Sequence, residues 1–301
     1  MILVTGGSGA MGSVLVHELH NRGELVRVCV MPGDPFVSRI ADAVTDICYA
    51  DITKKVSLAG ICKGVKTVYH LAAIIVSRDD GEFDRVNAEG TRNIVEEAHW
   101  AGVKHFIYVS SASVTYPAPT PYSLSKSKAE EIVKFSGLNF TIVRPTLVYG
   151  ERGGLEFDMY LEYLQKYPFV PFIGLGKALK RPVYVGDVIS GLVALNDKKK
   201  TYKKTYNLSG AEAISIRQFS VLCLKLLGKG KKPIVSLPVG LCMLIAKIMA
   251  RFMKNPPLKW QVIAGITQDA NLDPGQAMED LGYLPAKVTE RLPKCFPRLK
   301  N

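Results

Sequence analysis

Short apolar runs alternate with helical periodicity along the first half of the chain. The apolar run at 2–4 ends in a glycine-rich turn, and apolar residues then recur at i, i+3, i+4 and i+8 until Gly23. That spacing is typical of an amphipathic helix, whereas an unbroken apolar run bounded by glycine or proline is typical of a buried strand. The same criteria predict strands at 25–30, 67–71, 105–110 and 140–143, and helices at 87–101 and 122–135.

Continuous apolar strands that alternate with helices indicate a parallel sheet covered on both faces. After Gly150 the alternation weakens to a helix at 156–167, short strands at 183–185 and 206–208, and a helix at 188–196 that Asp187 could cap. We therefore predict an α/β fold with a doubly wound parallel sheet and a small, mostly helical C-terminal region. The predicted units are 1–150, with 183–208 returning to the sheet, and a substrate-binding region at 151–182 and 209–301.

The charge of the chain is unevenly distributed. The 301 residues carry 39 Lys and Arg against 27 Asp and Glu, which gives a net charge of +12. Residues 1–150 hold 15 of each sign, so the whole excess lies in residues 151–301. We expect the second half to meet an anionic small molecule or an acidic surface. Nucleic-acid binding is disfavoured, because the basic residues lack interleaved aromatic residues and no nucleic-acid motif is present.

Composition also bounds the class of protein. A hydrophobic content of 48% and a charged content of 22% exclude a disordered chain. No uncharged stretch reaches the ~18 residues of a spanning helix, and strand-like residues begin at Ile2, which leaves no room for a signal peptide. The six cysteines show no zinc-ligand spacing, so no metal site is predicted. We expect reduced thiols and a cytoplasmic location.

Glycines at 6, 9 and 12 stand between the first strand and the first helix. Gly6 permits a tight turn, Gly9 lets the backbone approach a pyrophosphate, and Gly12 lets the helix pack on the sheet. Free N–H groups at the helix start then face the phosphates, which predicts NAD or NADP as cofactor. The second strand ends at Val30-Met31, which carries neither the acidic residue typical of NAD binding nor an Arg for NADP. Arg39 could reach a 2′-phosphate, so the preference stays open.

Tyr122 and Lys126 are four residues apart on a predicted helix and therefore share a face. A nearby ammonium group lowers the pKa of a phenol, which is otherwise about 10, so that Tyr122 can exchange a proton with a substrate alcohol or carbonyl. Ser111 ends the preceding strand and can hydrogen-bond the same substrate oxygen. A second Tyr-x-x-x-Lys, Tyr283 to Lys287, contains a proline and is disfavoured as a helix.

Together these features resemble the extended short-chain dehydrogenase/reductase family, the group of NAD-dependent epimerases and dehydratases. The resemblance covers nearly the whole chain, and its motifs are highly specific as an ordered set. It implies a Rossmann-type sheet and NAD(P)-dependent chemistry. The matching segments are 5–12 (TGGSGAMG), 51–52 (DI), 70–73 (HLAA), 87–91 (NAEGT), 108–111 (YVSS), 122–126 (YSLSK), 144–145 (RP) and 185–188 (VGDV).

The resemblance also implies a role for each matching residue. Ser111 aligns the substrate, Tyr122 is the acid–base residue, and Lys126 lowers the pKa of Tyr122 and holds the nicotinamide ribose. His70 is interpreted as a packed strand-end residue, and Asn87 orders the nearby helix. The cofactor site implied by the resemblance comprises Gly6, Gly9, Ala10, Met11, Gly12, Asp51, Ile52, Leu71, Ala72, Ala73, Asn87, Lys126 and Pro145.

Departures from the family pattern concern the substrate. Leu147 stands where nucleotide-sugar members often carry Asn, and Lys180 stands where they often carry Arg. Lys180 and Arg181 are the predicted substrate-binding residues, and the predicted substrate is an anionic metabolite such as a nucleotide sugar. No carboxylate follows Ser111 directly, so redox or epimerase chemistry is favoured over elimination. A homodimer is a further expectation from the family.

The C-terminal half has a looser similarity to the nucleotide-binding accessory subunit of respiratory complex I, from 181–187 through 255–259. The alternative function is therefore a cofactor-binding accessory or assembly protein at a membrane, with little or no turnover. Apolar positions at 241–252 follow helical spacing. One interpretation is that this helix lies on an anionic membrane. The interpretation that we favour is that it closes the substrate pocket, with its basic face exposed to solvent. The basic residues of the other face are Lys247, Arg251 and Lys254.

Overall fold

Parallel strands form the centre of the computed structural model, which describes residues 1–151, 155–253, 258 and 260–296. The described strands are β1 Ile2–Thr5, β2 Val26–Val30, β3 Asp46–Tyr49, β4 Thr67–His70, β5 His105–Val109, β6 Phe140–Pro145, β7 Val148–Tyr149, β8 Val170–Ile173, β9 Leu179–Lys180, β10 Val183–Tyr184, β11 Lys204–Leu208, β12 Ile214–Ser215 and β13 Ile234–Leu237. Seven of them form one sheet in the order β11-β6-β5-β4-β1-β2-β3, and each neighbouring pair is parallel.

Helices cover both faces of this sheet. A single-turn helix leads through a π-helical segment, Asp84–Glu89, into the longer helix that follows it. The described helices are α1 Ala10–Asn21, α2 Asp80–Phe83, α3 Gly90–Trp100, α4 Pro121–Lys134, α5 Leu155–Lys166, α6 Val185–Val193, α7 Ile216–Leu226, α8 Val239–Phe252, α9 Trp260–Thr267, α10 Gly275–Leu281 and α11 Val288–Arg291.

Two apolar clusters hold these layers together, one on each face of the sheet. Val4 faces the cluster that contains Leu15 of α1 and Leu192 of α6. Its neighbour Leu3 faces the cluster that contains Ile94 of α3 and Val133 of α4. Successive side chains of a strand point to opposite faces, so a run that is apolar throughout must be covered twice. The predicted doubly wound parallel sheet is confirmed.

The structure differs from the prediction at several boundaries. Helix α6 begins at Val185, so Asp187 lies inside its first turn and does not cap it. Asp187 instead accepts a hydrogen bond from the N–H of Ala286 (2.9 Å) and fixes the C-terminal segment. The predicted strand at 183–185 is β10, which pairs with β7 outside the main sheet, whereas β11 forms its outer strand. Strand β3 was missed, because its sequence DICY is short and polar at its start.

The C-terminal region has its own core, in which Tyr149, Phe157 and Phe219 are buried together. Helix α8 contradicts the interpretation that we favoured for it. Its buried residues are Cys242 and Ala246, while the apolar positions that were expected to face inward are exposed. Lys254 and the segment 255–257 lie outside the described residues. Within the described ranges, none of the helices has the length and apolar content that crossing a bilayer requires.

Candidate active site

The glycine-rich turn connects β1 to α1 with almost no free space. Gly6 has φ +69°, and a Cβ there would lie 2.8 Å from the amide nitrogen of Ala72. A Cβ on Gly12 would lie 2.1 Å from the carbonyl oxygen of Gly6. Both positions therefore require glycine. Gly9 caps α1, and among the described residues no side chain accepts from its first turn, so these N–H groups are free to bind an anion. The first turn consists of Ala10, Met11 and Gly12.

Sequence reasoning missed an acidic residue beside this turn. Ser8 donates a short hydrogen bond to the carboxylate of Asp34, which lies in the turn after β2. A carboxylate at the end of the second strand is the family's usual ribose acceptor, but we sought it at Val30-Met31. The tight turn Pro32-Gly33 comes between the strand and the acidic residue, so the acidic residue stands later in the sequence than the end of the strand. Arg39 stacks its guanidinium on the ring of Phe36, 4.0 Å from the centroid.

The end of β4 lies next to the glycine-rich turn. Leu71 and Ala72 donate their N–H groups to the backbone and side-chain oxygens of Thr5 (3.1 and 3.3 Å), and Ala73 is exposed. His70 is fully buried between the hydroxyls of Thr5 (2.6 Å) and Thr91 (2.9 Å). Burial, assisted by the charge of Lys126, lowers the pKa of His70 to about 3. The imidazole is therefore neutral at physiological pH and acts as a packed strand-end group.

Asp51 and Ile52 follow β3 and are fixed by their neighbours. Asp51 Oδ1 accepts from the N–H (2.9 Å) and the hydroxyl (2.8 Å) of Thr53. Although partial burial opposes it, these hydrogen bonds lower the pKa of Asp51. The carbonyl of Ile52 accepts a hydrogen bond from the side chain of Asn93 (2.8 Å). The side chain of Ile52 fills the space beside Gly90. Ile52 therefore joins the end of the sheet to α3, while Asp51 is held by the loop that follows it.

Helix α4 places Tyr122 and Lys126 on one face. Its N-cap, Thr120, forms a reciprocal capping box with Ser123, so the helix begins at a defined residue next to Tyr122. Lys126 is 2% exposed and donates to the carbonyl of Val109 (2.8 Å), the last residue of β5. Its ammonium also lies 4.4 Å from the ring centroid of Tyr108. The capped helix start and the hydrogen bond from Lys126 to Val109 therefore hold α4 against the end of β5.

The pKa shifts of the pair differ from the expectation. Burial lowers the pKa of Lys126 to about 7, with Glu130 acting in the opposite sense. Burial also raises the pKa of Tyr122 above its ordinary value, and the charge of Glu156 adds to this, while a hydrogen bond with Ser111 lowers it. In the protein alone, Lys126 therefore does not reverse the effect of burial on Tyr122. Glu156 of α5, which sequence reasoning missed, lies near enough to Tyr122 for its charge to act on the phenol.

Ser111 and Asn87 connect the site to its surroundings. Ser111 Oγ accepts from the N–H (3.2 Å) and the hydroxyl (3.0 Å) of Ser113, and it reaches Tyr122. Asn87 is buried and bonds both backbone groups of Ile74 (2.9 and 3.0 Å). It also donates to the hydroxyl of Ser125 (3.0 Å), next to Lys126. Asn87 thus ties the loop after β4 to α4.

The predicted substrate residues are bonded within the protein. Lys180 is 6% exposed, and its ammonium donates to the Tyr116 hydroxyl (3.3 Å) and to the carbonyls of Gly265 (3.0 Å) and Gln268 (2.6 Å). Burial lowers its pKa to about 8. Arg181 donates to the side chain of Asn271 (2.7 Å) and to the carbonyls of Gly210 (3.2 Å) and Ala211 (3.1 Å). Pro145, a predicted cofactor residue, is buried at the end of β6.

Comparisons with known proteins find similar sequences and a similar fold. The UDP-glucose 4-epimerase of Vibrio cholerae is 25% identical over 96% of this chain and 92% of its own length. The 3β-hydroxysteroid dehydrogenase/Δ5→4-isomerase of Mycobacterium tuberculosis is 27% identical over 98% and 89%. A crystal structure of UDP-glucose 4-epimerase from Thermotoga maritima matches with a TM-score of 0.78 and 23% identity, over 100% of this chain and 99% of the other.

The family assignment rests on a match that is longer than any one motif. Residues 2–209 match the model of the NAD dependent epimerase/dehydratase family, a segment that runs from β1 to the end of the seven-stranded sheet. That segment contains the glycine-rich turn, Ser111, Tyr122 and Lys126. The chain therefore belongs to the NAD-dependent epimerase/dehydratase family, a group of extended short-chain dehydrogenases/reductases.

Proposed function

We propose that this chain is an NAD-dependent oxidoreductase or epimerase that acts at a carbon bearing a hydroxyl or keto group. The observation that carries the proposal is the arrangement of Ser111 just after β5 with Tyr122 and Lys126 at the start of α4, where Lys126 is bonded to Val109. A cofactor-binding protein without turnover has no use for a tyrosine that is held beside a buried lysine. The alternative of an accessory protein with little or no turnover is therefore the less favoured one.

Each of these three residues has a distinct task. Tyr122 gives or takes the proton of the substrate oxygen. Ser111, which already hydrogen-bonds Tyr122, holds that oxygen in line. Lys126 fixes the site through Val109 and supplies positive charge when protonated. The chemistry that NAD supplies when bound is hydride transfer at its nicotinamide ring, together with the positive charge of the oxidised ring, which favours the phenolate of Tyr122.

The residues around the turn fit a dinucleotide. Glycine at positions 6 and 12 lets the turn close tightly on its own backbone, which is the form of turn that presents the start of α1 to a pyrophosphate. Asp34 favours NAD over NADP, because its carboxylate can accept from ribose hydroxyls and repels a 2′-phosphate. Arg39 remains the residue that would act in the opposite sense. The other predicted cofactor residues follow from the family resemblance and are part of the same proposal.

Two substrate classes remain. An anionic metabolite such as a nucleotide sugar is supported by the net charge of the second half and by the likeness to UDP-glucose 4-epimerase. A lipid alcohol or ketone is supported by the likeness to a hydroxysteroid dehydrogenase. It is also supported by Lys180 and Arg181, whose donors are bonded internally and do not face a diphosphate. The contacts of these two residues favour the lipid class.

A substrate screen tests the proposal. The protein would be incubated with NAD or NADH and with nucleotide sugars, hydroxysteroids and long-chain keto lipids. Nicotinamide absorbance would detect net redox, and NMR of the substrate carbon would detect epimerisation. We expect turnover in one class. Tight NAD binding without turnover in any of these classes would instead favour the accessory-protein alternative.

A further inference from the structure

Helix α8 presents its apolar side to solvent. Leu244 is 55% exposed and Phe252 is 81% exposed, and they belong to a set spaced at i, i+3, i+4, i+7 and i+11. That spacing places the whole set on one face of the helix. The opposite side packs through Cys242 and Ala246 against Ile263 of α9. The exposed apolar set consists of Leu241, Leu244, Ile245, Ile248 and Phe252.

The exposed apolar residues of the chain concentrate around this helix. Of the 26 large hydrophobic side chains exposed in the described part of the chain, nine fall between Val235 and Trp260. A patch of this kind marks a surface that meets an apolar partner. Among the described residues α8 packs through one side only, so no contact among them requires the residues of its other side to be apolar.

The charge of the surrounding segment selects the partner. Residues 213–268 contain nine Lys and Arg and no Asp or Glu. Lys247 and Arg251 are exposed and, at 100° per residue, lie beside the apolar face of α8. An apolar stripe bordered by cations is the arrangement of a helix that lies in the interface of a membrane. A second copy of the same face would bring like charges together, so a self-association partner fits less well.

We propose that α8 docks this protein on the surface of an anionic lipid bilayer. The apolar set enters the boundary between headgroups and acyl chains, and Lys247 and Arg251 contact lipid phosphates. The proposal does not depend on hydride transfer. It differs from the expectation that α8 closes the substrate pocket, because the face concerned points away from the protein core.

Vesicle flotation tests the docking. The full chain would be mixed with phosphatidylcholine vesicles with and without phosphatidylglycerol. We expect binding that requires the anionic lipid and weakens with salt. The double variant Leu244→Glu/Ile248→Glu should lose it, and Lys247→Gln/Arg251→Gln should weaken it about fivefold per residue. Leu284→Glu is the matched control, since Leu284 is 79% exposed but lies outside α8, and it should bind like the wild type.

Other results would overturn the proposal. Equal binding to neutral vesicles would overturn the requirement for an anionic bilayer, and wild-type flotation of the α8 variants would remove the role of α8. Conversion of a dimer to a monomer by Leu244→Glu/Ile248→Glu, without a change in flotation, would assign this face to a second copy. Thermal unfolding would verify that the variants fold. Tyr122→Phe should float like the wild type, so failure of the docking and failure of the catalytic proposal are distinguishable.

Discussion

At the scale of single residues, burial controls the chemistry of the site. Lys126 is enclosed by the end of β5 and the ring of Tyr108, and its pKa falls from 10.5 to about 7. Glu130, the nearest carboxylate along α4, is bound by Arg144 through two hydrogen bonds (2.5 and 2.8 Å). That pairing keeps the pKa of Glu130 low, although burial alone would raise it. The sequence predicts that Tyr122 and Lys126 share a face, but it cannot predict how completely each is desolvated.

The lowered pKa of Lys126 predicts a pH-dependent stability. Between pH 7 and 10.5 the unfolded chain binds this proton and the folded chain does not, so stability rises with pH in that window. The variant Lys126→Met lacks this part of the rise. Relative to the variant, the wild type should therefore gain about 2 kcal/mol in free energy of unfolding between pH 6 and pH 9. Urea unfolding at both pH values measures it. A difference that is independent of pH would contradict the shift.

Asp34 predicts the cofactor preference. Asp34→Asn keeps an acceptor for Ser8 but removes the charge that repels a 2′-phosphate. The affinity for NADP relative to NAD should rise roughly tenfold, as expected for the loss of one nearby like charge. Calorimetry with both cofactors measures the ratio. Asp42→Asn, whose carboxylate is exposed beside His17, is the control and should leave the ratio unchanged. An unchanged ratio in Asp34→Asn would exclude Asp34 as the determinant.

At the scale of elements, the junctions between strands and helices carry the function. The turn from β1 to α1 was predictable from the spacing of its glycines, because a tight turn of this kind requires residues without a side chain at fixed positions. The acidic residue after β2 was not, since its position depends on the path of the Pro32-Gly33 turn. The start of α6 was also misplaced, because Asp187 bonds to a segment that is 99 residues away in sequence. Long-range partners of this kind leave no local signal.

The contact between Gly12 and Gly6 predicts the effect of a single methyl group. Gly12→Ala would place a Cβ against a backbone oxygen that cannot move without displacing the turn. We expect a loss of about 1–3 kcal/mol in stability and a loss of the stabilisation that NAD confers. Thermal unfolding with and without NAD measures both. Gly240→Ala is the control, because a Cβ there has open space around it. Normal NAD stabilisation of Gly12→Ala would argue against the turn as the phosphate site.

At the scale of the whole molecule, the neutral first half holds six of the seven strands of the main sheet, and the basic second half bears α8. The periodicity of α8 was predictable, but the direction that its apolar face points was not. A helical pattern shows which residues share a face, but not whether that face is buried. Here Cys242 and Ala246 pack on α9, so the apolar face on the other side of α8 is exposed. The parallel sheet followed from the alternation of elements, since each apolar strand requires cover on both sides, although its strand β3 was missed.

The central claim is that Tyr122 transfers the proton in an NAD-dependent reaction, and Tyr122→Phe tests it most directly. The measurement compares turnover of the substrate found in the screen with NAD binding by calorimetry, for wild type, Tyr122→Phe and the control Tyr167→Phe. We predict that Tyr122→Phe loses turnover by about a hundredfold or more while NAD binding is nearly intact, and that Tyr167→Phe behaves like the wild type. Turnover of Tyr122→Phe at the wild-type rate would contradict the account.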